Sequence, residues 1–375
     1  MLYRKFGNTG VDISVLGFGA MRLPSVHKDG KNVFDYEESA RMMLRAYELG
    51  VNYFDTAPLY CDCESETIVG RALKSIRDKV YVSTKYSVRS ALGSDFRQGL
   101  EASLKKLDME YIDFYHLWGI NWETYENRLT APGGPLEEAR KAKEEGLIRH
   151  ISFSFHDKAE NMGRLAETGQ FETVLAQYNL LDRSHEEGFA RAHARGLGTV
   201  VMGPVGGGRL GVPSEKIRSL IPGGARSNPE LALRFVLSNP HVSCALSGMS
   251  TMEQVEENCR VADRGDALSA EELEAVNAAV RENKKLADLY CTGCKYCMPC
   301  PQEVNIAVCF QLMNYHRVYE ITDYARAEYK NIGMPWMAGK NASFCNECGV
   351  CETKCPQKLA IRDQLRETDK VLGGG

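Results

Sequence analysis

Along the chain, short runs rich in β-branched and aromatic residues alternate with longer segments whose apolar positions recur every three or four residues. The short runs are 15–20, 52–57, 80–85, 112–118, 150–155, 174–178, 199–203 and 242–247, and each predicts a strand. Helical patterns over 36–49, 95–107, 134–145 and 184–194 lie between them, with Gly50, Gly146 and Gly196 where helices are expected to end. The repeating unit is a strand followed by a helix.

An eightfold alternation of this kind predicts parallel strands with crossover helices, and its extent suits the roughly 250 residues of a closed (β/α)8 barrel. A doubly wound open sheet is the alternative. Its dinucleotide fingerprint would follow the first strand, where GFGAM at 17–21 lacks the third glycine, so the barrel is preferred. The expected organisation is an α/β barrel over residues 1–285 and a separate, mainly helical lobe over 286–375.

Composition narrows the class further. The 375 residues are 43% hydrophobic and 26% charged with a formal net charge of −4, which supports a large core and supplies no cationic surplus for nucleic acid or anionic lipid. The opening MLYRKFGNTGVDISVLGFG has no apolar core of a leader, and no apolar run of membrane-spanning length occurs, so the expectation is a soluble cytoplasmic protein.

In a barrel of this class the chemistry sits at the C-terminal ends of the strands. Three strands end in polar residues that an apolar core would not select: YFDTAPLY brings Asp55 and Tyr60, YVSTKY brings Lys85, and DFYHLWGIN contains His116. Taken singly, Lys85 reads equally well as a surface lysine and Tyr60 as a packed loop residue. Together they suit carbonyl reduction. An ammonium beside a phenol favours the phenolate and lowers a pKa near 10, the aspartate orients the lysine, and the phenol donates a proton to the oxygen that gains charge as hydride arrives.

With GVNYFDTAPLY, ESETIVGRAL, VSTK, the strand carrying Gln177 and SGMSTMEQVEEN, residues 1–285 resemble the aldo-keto reductases, in particular the branch with a C-terminal iron–sulfur domain. That resemblance implies NADP or NAD as cofactor, a small-molecule carbonyl or alcohol as substrate, and Asp55, Tyr60 and Lys85 as three members of a catalytic tetrad with Tyr60 as general acid. It further implies Ser154 and Gln177 around the nicotinamide carboxamide, and Ser247, Met249, Glu257 and Asn258 at the far end of the dinucleotide. Met202 is expected beside the cofactor and, with Trp118 and Cys61, shapes the pocket.

The fourth tetrad position departs from the pattern. Alignment places the family histidine at Trp118, while His116 lies two residues earlier, on the same strand face but about 7 Å deeper. His116 is therefore read as a core histidine and Trp118 as occupant of the slot, with a local bulge as the alternative that returns His116 to the rim. Cys61 and Cys63 follow Tyr60 directly, either as a reactive or metal-binding pair or as two unrelated small residues. Basic side chains that relatives preferring NADPH carry in the eighth unit are replaced by Gly248 and Gln254, which leaves NADPH against NADH open. In GPVGGGRLG, exposed backbone N–H groups and Arg209 could cradle a pyrophosphate; a plain flexible loop is the other reading.

Eight of the thirteen cysteines fall in two runs. Cys291, Cys294, Cys297 and Cys300 are followed by Pro301, and Cys345, Cys348, Cys351 and Cys355 by Pro356. Two complete runs ending in Cys-Pro favour two [4Fe–4S] clusters over paired zinc sites, and the usual crossing joins Cys291, Cys294 and Cys297 with Cys355, and Cys345, Cys348 and Cys351 with Cys300. Cys244, Cys259 and Cys309 read as small apolar residues. Hydride transfer moves two electrons and a cubane accepts one, so the clusters either exchange electrons through a further carrier, with a redox protein as possible partner, or hold a small lobe together. An electron-transfer protein whose barrel docks a partner and a non-catalytic nucleotide binder are the competing functional classes.

Overall fold

The computed structural model describes residues 1–28, 31–208, 210–265, 267–288, 295–355 and 358–374. All eight expected runs are strands: β1 (Leu16–Gly19), β2 (Tyr53–Asp55), β3 (Tyr81–Ser87), β4 (Ile112–Ile120), β5 (Ile148–Phe155), β6 (Thr173–Gln177), β7 (Gly198–Met202) and β8 (Cys244–Gly248). They pair in parallel and in chain order, and β8 returns to β1 to close the barrel. The helices that cross between them include α1 (Tyr36–Glu48), α2 (Ser65–Leu73), α3 (Gly93–Leu107), α4 (Pro135–Glu144), α5 (Ala159–Glu167), α6 (Glu186–Ala194), α7 (Asn228–Leu237) and α8 (Met252–Arg264).

Local chemistry sets the helix ends. Asp35 accepts the N–H of Glu38 at 2.9 Å to start α1, whose buried face is Met42, Met43 and Ala46. Pro135 opens α4 with Glu137 and Glu138 in its first turn and Lys141 and Lys143 in its last, charges that suit the helix dipole. Gly50, Gly146 and Gly196 follow their helices with φ of +98°, +80° and +79°.

The floor of the barrel is an element that the strand pattern did not announce. A hairpin of Tyr3–Lys5 with Asp12–Ser14 lays Phe6 across the barrel bottom, fully buried, 4.9 Å from the Phe114 ring and 6.0 Å from Tyr53. Only glycine fits beneath it at the start of β7, because a Cβ on Gly198 would stand 2.3 Å from the Phe6 ring. Ile13, Leu175, Val200, Cys244 and Leu246 complete this cluster. A second hairpin, Ser25–Lys28 with Lys31–Phe34, is an exposed insertion between β1 and α1.

By compactness the chain divides into two units, residues 1–207 with 232–268 and residues 208–231 with 269–375. The boundary expected after residue 285 falls within α9 (Ala270–Asp288), a continuous helix that offers no linker there. The second unit is helical, with α10 (Ile306–Tyr319), α11 (Thr322–Lys330) and α12 (Ile361–Thr368) around Phe310, Met313, Ile321, Ala325, Tyr329 and Leu365. Tyr329 ties its ends together, donating to Asp369 at 2.8 Å and accepting the Ala342 N–H at 2.8 Å. Among the described residues no helix is long and apolar enough to cross a membrane.

Candidate active site

Adjacent strands bring Asp55 and Lys85 together. Asp55 on β2 is level with Ser83 on β3, and Lys85 lies two residues further along the same face. Lys85 Nζ donates to Asp55 Oδ2 at 2.5 Å and to the Thr56 carbonyl at 2.7 Å, while Ser83 Oγ donates to Asp55 Oδ1 at 2.7 Å. Both charged side chains are almost wholly buried. Burial lowers the Lys85 pKa, but the charge of the Asp55 carboxylate and its hydrogen bond outweigh it, so the ammonium is held above its ordinary value.

Tyr60 follows β2 on a left-handed turn: Cys61, Asp62 and Cys63 have φ of 52°, 50° and 73°. Such backbone is costly for residues with side chains and persists where neighbours fix it. Here Cys63 and Ser65 donate backbone N–H groups to the Tyr60 carbonyl at 3.1 and 3.2 Å, Asn32 donates to Asp62 at 3.0 Å, and Ser65 Oγ donates to the Ala20 carbonyl at 2.7 Å. The turn leaves the Tyr60 ring half-buried with Lys85 Nζ 4.7 Å from its centroid. The expected fall in the Tyr60 pKa is not what this site produces. Burial raises it more than Lys85 lowers it, so the phenol keeps its proton more firmly than a free tyrosine. Cys61 is buried, its thiol pushed up by burial and near the Ala20 carbonyl at 3.5 Å, whereas Cys63 is exposed; the two do not share an environment.

His116 is level with Lys85 and Trp118 with Ser87, so the two differ by one layer of the barrel. His116 has no exposed surface and stands 3.4 Å from the Tyr53 hydroxyl through Nε2. Trp118 is half-buried at the rim, its ring 5.9 Å from Tyr60 and at 84° to it. Pairing with β5 slips just beyond, between Leu117 and Ile120, where Gly119 takes φ +66°. The bulge takes in Trp118 and Gly119 and leaves His116 inside.

Burial and the Lys85 charge push the His116 pKa down to about 3 from an ordinary 6.5. The unfolded chain therefore takes up a proton near pH 6.5 that the folded one refuses, and stability must fall as pH drops below that value. Relative to His116→Leu, wild-type unfolding free energy is expected to decline by up to about 1.4 kcal/mol per pH unit between pH 6.5 and 5.5 in urea titrations. Parallel pH curves for the two proteins would contradict this.

The other half of the rim carries the residues expected around a dinucleotide. Ser154, at the end of β5, is buried and accepts the Gly119 N–H at 2.8 Å, which leaves its hydroxyl free to donate. Gln177 ends β6 in register with Met202 on β7, both half-buried. The Gln177 amide lies against Gly203, where a Cβ would meet Oε1 at 2.6 Å. Ser247 is buried on β8 and accepts from Asn258 Nδ2 at 3.2 Å; Met249 is buried and Glu257 half-buried. Arg209 lies outside the described residues. Two polar residues beside this rim went unremarked in the sequence. His185 bridges the backbone carbonyls of Asp157 and Gln177 at 2.8 and 3.0 Å, and Asn179 donates to the Gly203 carbonyl at 3.1 Å while accepting two loop N–H groups.

Cys291 and Cys294 lie outside the described residues. The two cysteine-bearing segments are nonetheless laid side by side: Asn305 N–H donates to the Lys340 carbonyl at 2.8 Å and Lys340 N–H to that of Glu303 at 2.9 Å, shortly after Cys300 and before Cys345. Cys345 Sγ accepts the Glu347 N–H at 3.4 Å, the kind of contact that supports a thiolate. Cys297, Cys300 and Cys355 are half-buried, Cys348 exposed and Cys351 buried. Among the described residues no three metal-ligating side chains converge as a single ion would require. A cubane, which presents a separate iron to each thiolate, does not need that convergence. Cys244, Cys259 and Cys309 are buried, and burial pushes the thiols of Cys259 and Cys309 up to about 12.

Comparison with known proteins agrees with this geometry. The model of the aldo/keto reductase family matches residues 15–281, and that of a 4Fe-4S dicluster domain matches residues 290–361. An uncharacterized oxidoreductase of Bacillus subtilis (strain 168) is 27% identical over 318 residues, spanning 76% of this chain and 98% of its own. The NADH-specific methylglyoxal reductase of Escherichia coli (strain K12) is 27% identical over 305 residues, spanning 67% and 90%. The holo form of an aldo-keto reductase from Bacillus halodurans shares 28% identity and a TM-score of 0.64, covering 74% of this chain and 96% of that one. A family match across the whole barrel, continued by an iron–sulfur match beyond it, means that the chain belongs to the aldo/keto reductase family of NAD(P)-dependent oxidoreductases and carries a 4Fe-4S domain.

Proposed function

We propose that the protein interconverts a small-molecule carbonyl and its alcohol with NADPH or NADH, using Tyr60 as the general acid. The observation that carries this reading is the buried Asp55–Lys85 pair with its ammonium 4.7 Å from the Tyr60 ring. Bound NAD(P)H would supply the hydride. Tyr60, protonated at neutral pH, donates to the carbonyl oxygen as negative charge develops there, and Lys85 steadies the phenolate left behind. Asp55 fixes the ammonium. Ser154 and Gln177 orient the carboxamide, Met202 borders it, and Ser247, Met249, Glu257 and Asn258 line the far end. Trp118 narrows the pocket over Tyr60 and offers an indole N–H where relatives carry a histidine.

The thiols of Cys291, Cys294, Cys297 and Cys355 would hold one [4Fe–4S] cluster and those of Cys345, Cys348, Cys351 and Cys300 a second; the clusters supply one-electron transfer, with a redox protein as partner, in a reducing cytoplasm. The backbone bonds of Lys340 with Glu303 and Asn305 support this crossing by holding the two cysteine segments together.

The test is an anaerobic titration of cluster-loaded protein with NADPH and with NADH, following tryptophan emission and cluster absorbance together, then turnover on a carbonyl panel that includes methylglyoxal. Saturable quenching and nucleotide oxidation are expected. Bleaching of the clusters in the same titration would mean that they accept electrons; an unchanged cluster spectrum would make them structural. Failure of either nucleotide to bind would remove the reductase reading.

A further inference from the structure

Arg22, on the loop after β1, takes no part in the Asp55–Lys85–Tyr60 corner, yet it is held from both ends. Its backbone carbonyl accepts from Ser250 Oγ at 2.8 Å, and its guanidinium donates to the Gly207 carbonyl at 3.0 Å. Its stem lies over Gly248: a Cβ built there would meet Arg22 Cδ at 3.7 Å and its Cβ and Cγ at 3.8 Å. Arg22 thus reaches from the first loop across to the loops that follow β7 and β8. The exposed guanidinium spends one donor on Gly207, and among the described residues no carboxylate pairs with it.

The β8 loop has no charge of its own at this place. Gly248 carries no side chain, and Gln254 is committed, its Oε1 accepting the Ser250 N–H at 2.7 Å. We propose that Arg22 grips the 2′-phosphate of NADP(H), supplying from the first loop the cation that the eighth lacks. The planar fork of a guanidinium suits a phosphate, and tethering at Ser250 and Gly207 places it before the ligand arrives. This inference rests on the dinucleotide reading above and adds to it a preference for the phosphorylated cofactor.

The test uses the full, cluster-loaded chain and measures binding of NADPH, NADH, 2′,5′-ADP and 5′-ADP. Arg22→Gln is expected to weaken NADPH and 2′,5′-ADP by about ten- to a hundredfold, and NADH and 5′-ADP by less than about threefold. Adding Gly248→Lys to that variant should recover much of the loss, because a Cβ at position 248 meets the stem of residue 22 only at ordinary contact distance and the lysine returns a cation to the site. An equal loss for all four ligands would assign Arg22 to the adenosine 5′-phosphate that they share and overturn the proposal, as would no loss at all. If the wild type binds NADH but does not distinguish 2′,5′-ADP from 5′-ADP, the proposal falls while the dinucleotide reading stands. If it binds neither NADPH nor NADH, the dinucleotide reading itself falls.

Discussion

Tyr60→Phe is expected to lower the rate of carbonyl reduction by about 10²- to 10⁴-fold, the usual size of a general-acid contribution, while NADPH and NADH bind as before. The reason lies in the balance of forces on the phenol. Burial raises its pKa and Lys85 lowers it, with burial ahead, so in the resting site the proton stays on oxygen. As hydride reaches the carbonyl carbon, negative charge grows on the carbonyl oxygen and the phenol proton becomes worth giving up. The phenolate that results stands beside an ammonium that is already in place. Phenylalanine keeps the ring against Trp118 and Lys85 and removes only the hydroxyl that carries the proton. A variant that binds nucleotide normally and reduces carbonyls at the wild-type rate would remove Tyr60 from the mechanism. The pH dependence carries the same sign: reduction should hold through neutral pH and fall only in the alkaline range, where the raised phenol at last ionises. A loss of rate on going from pH 6 to 8 would point to a different acid.

The barrel could be read from the sequence because each strand is a compact β-branched or aromatic run, a signal that repeats eight times, and because several crossover helices, α1, α4 and α6 among them, close on a glycine. Bounds moved by only a few residues, as where β4 runs on to Ile120 past the bulge. The closeness of Asp55 and Lys85 was legible for a similar reason, since neighbouring parallel strands put their rim residues side by side. What escaped was whatever depends on contacts distant in sequence. A lone Phe6 in a polar stretch has no periodicity to announce it as the barrel floor. The rise of both the Tyr60 and the Lys85 pKa depends on the balance of burial and charge in the corner, and spacing carries no measure of that. Arg22 is separated by 185 positions from Gly207 and by 228 from Ser250, and only the closed barrel brings them together.

The buried Asp55–Lys85 pair invites a sharper experiment than loss of activity, because stability and chemistry should separate. Lys85→Ala leaves the Asp55 carboxylate with the Ser83 hydroxyl but no countercharge, in a site where its own side chain is 2% exposed. Removing one partner of such a pair typically costs about 3–5 kcal/mol, and a marked fall in the denaturation midpoint is expected together with loss of turnover. Taken alone, that result cannot tell a positioning lysine from one that merely keeps the barrel folded. The double variant Asp55→Leu with Lys85→Met can, since a buried ion pair replaced by apolar side chains of similar volume is often neutral or stabilising. Its midpoint is expected to return to the wild-type range while carbonyl reduction stays as slow as in Tyr60→Phe or slower, because nothing then steadies the phenolate. Recovery of both stability and turnover would mean that the pair is structural and that the proton comes from elsewhere. Recovery of stability alone would show that this barrel keeps two charges in its driest layer for the sake of the reaction.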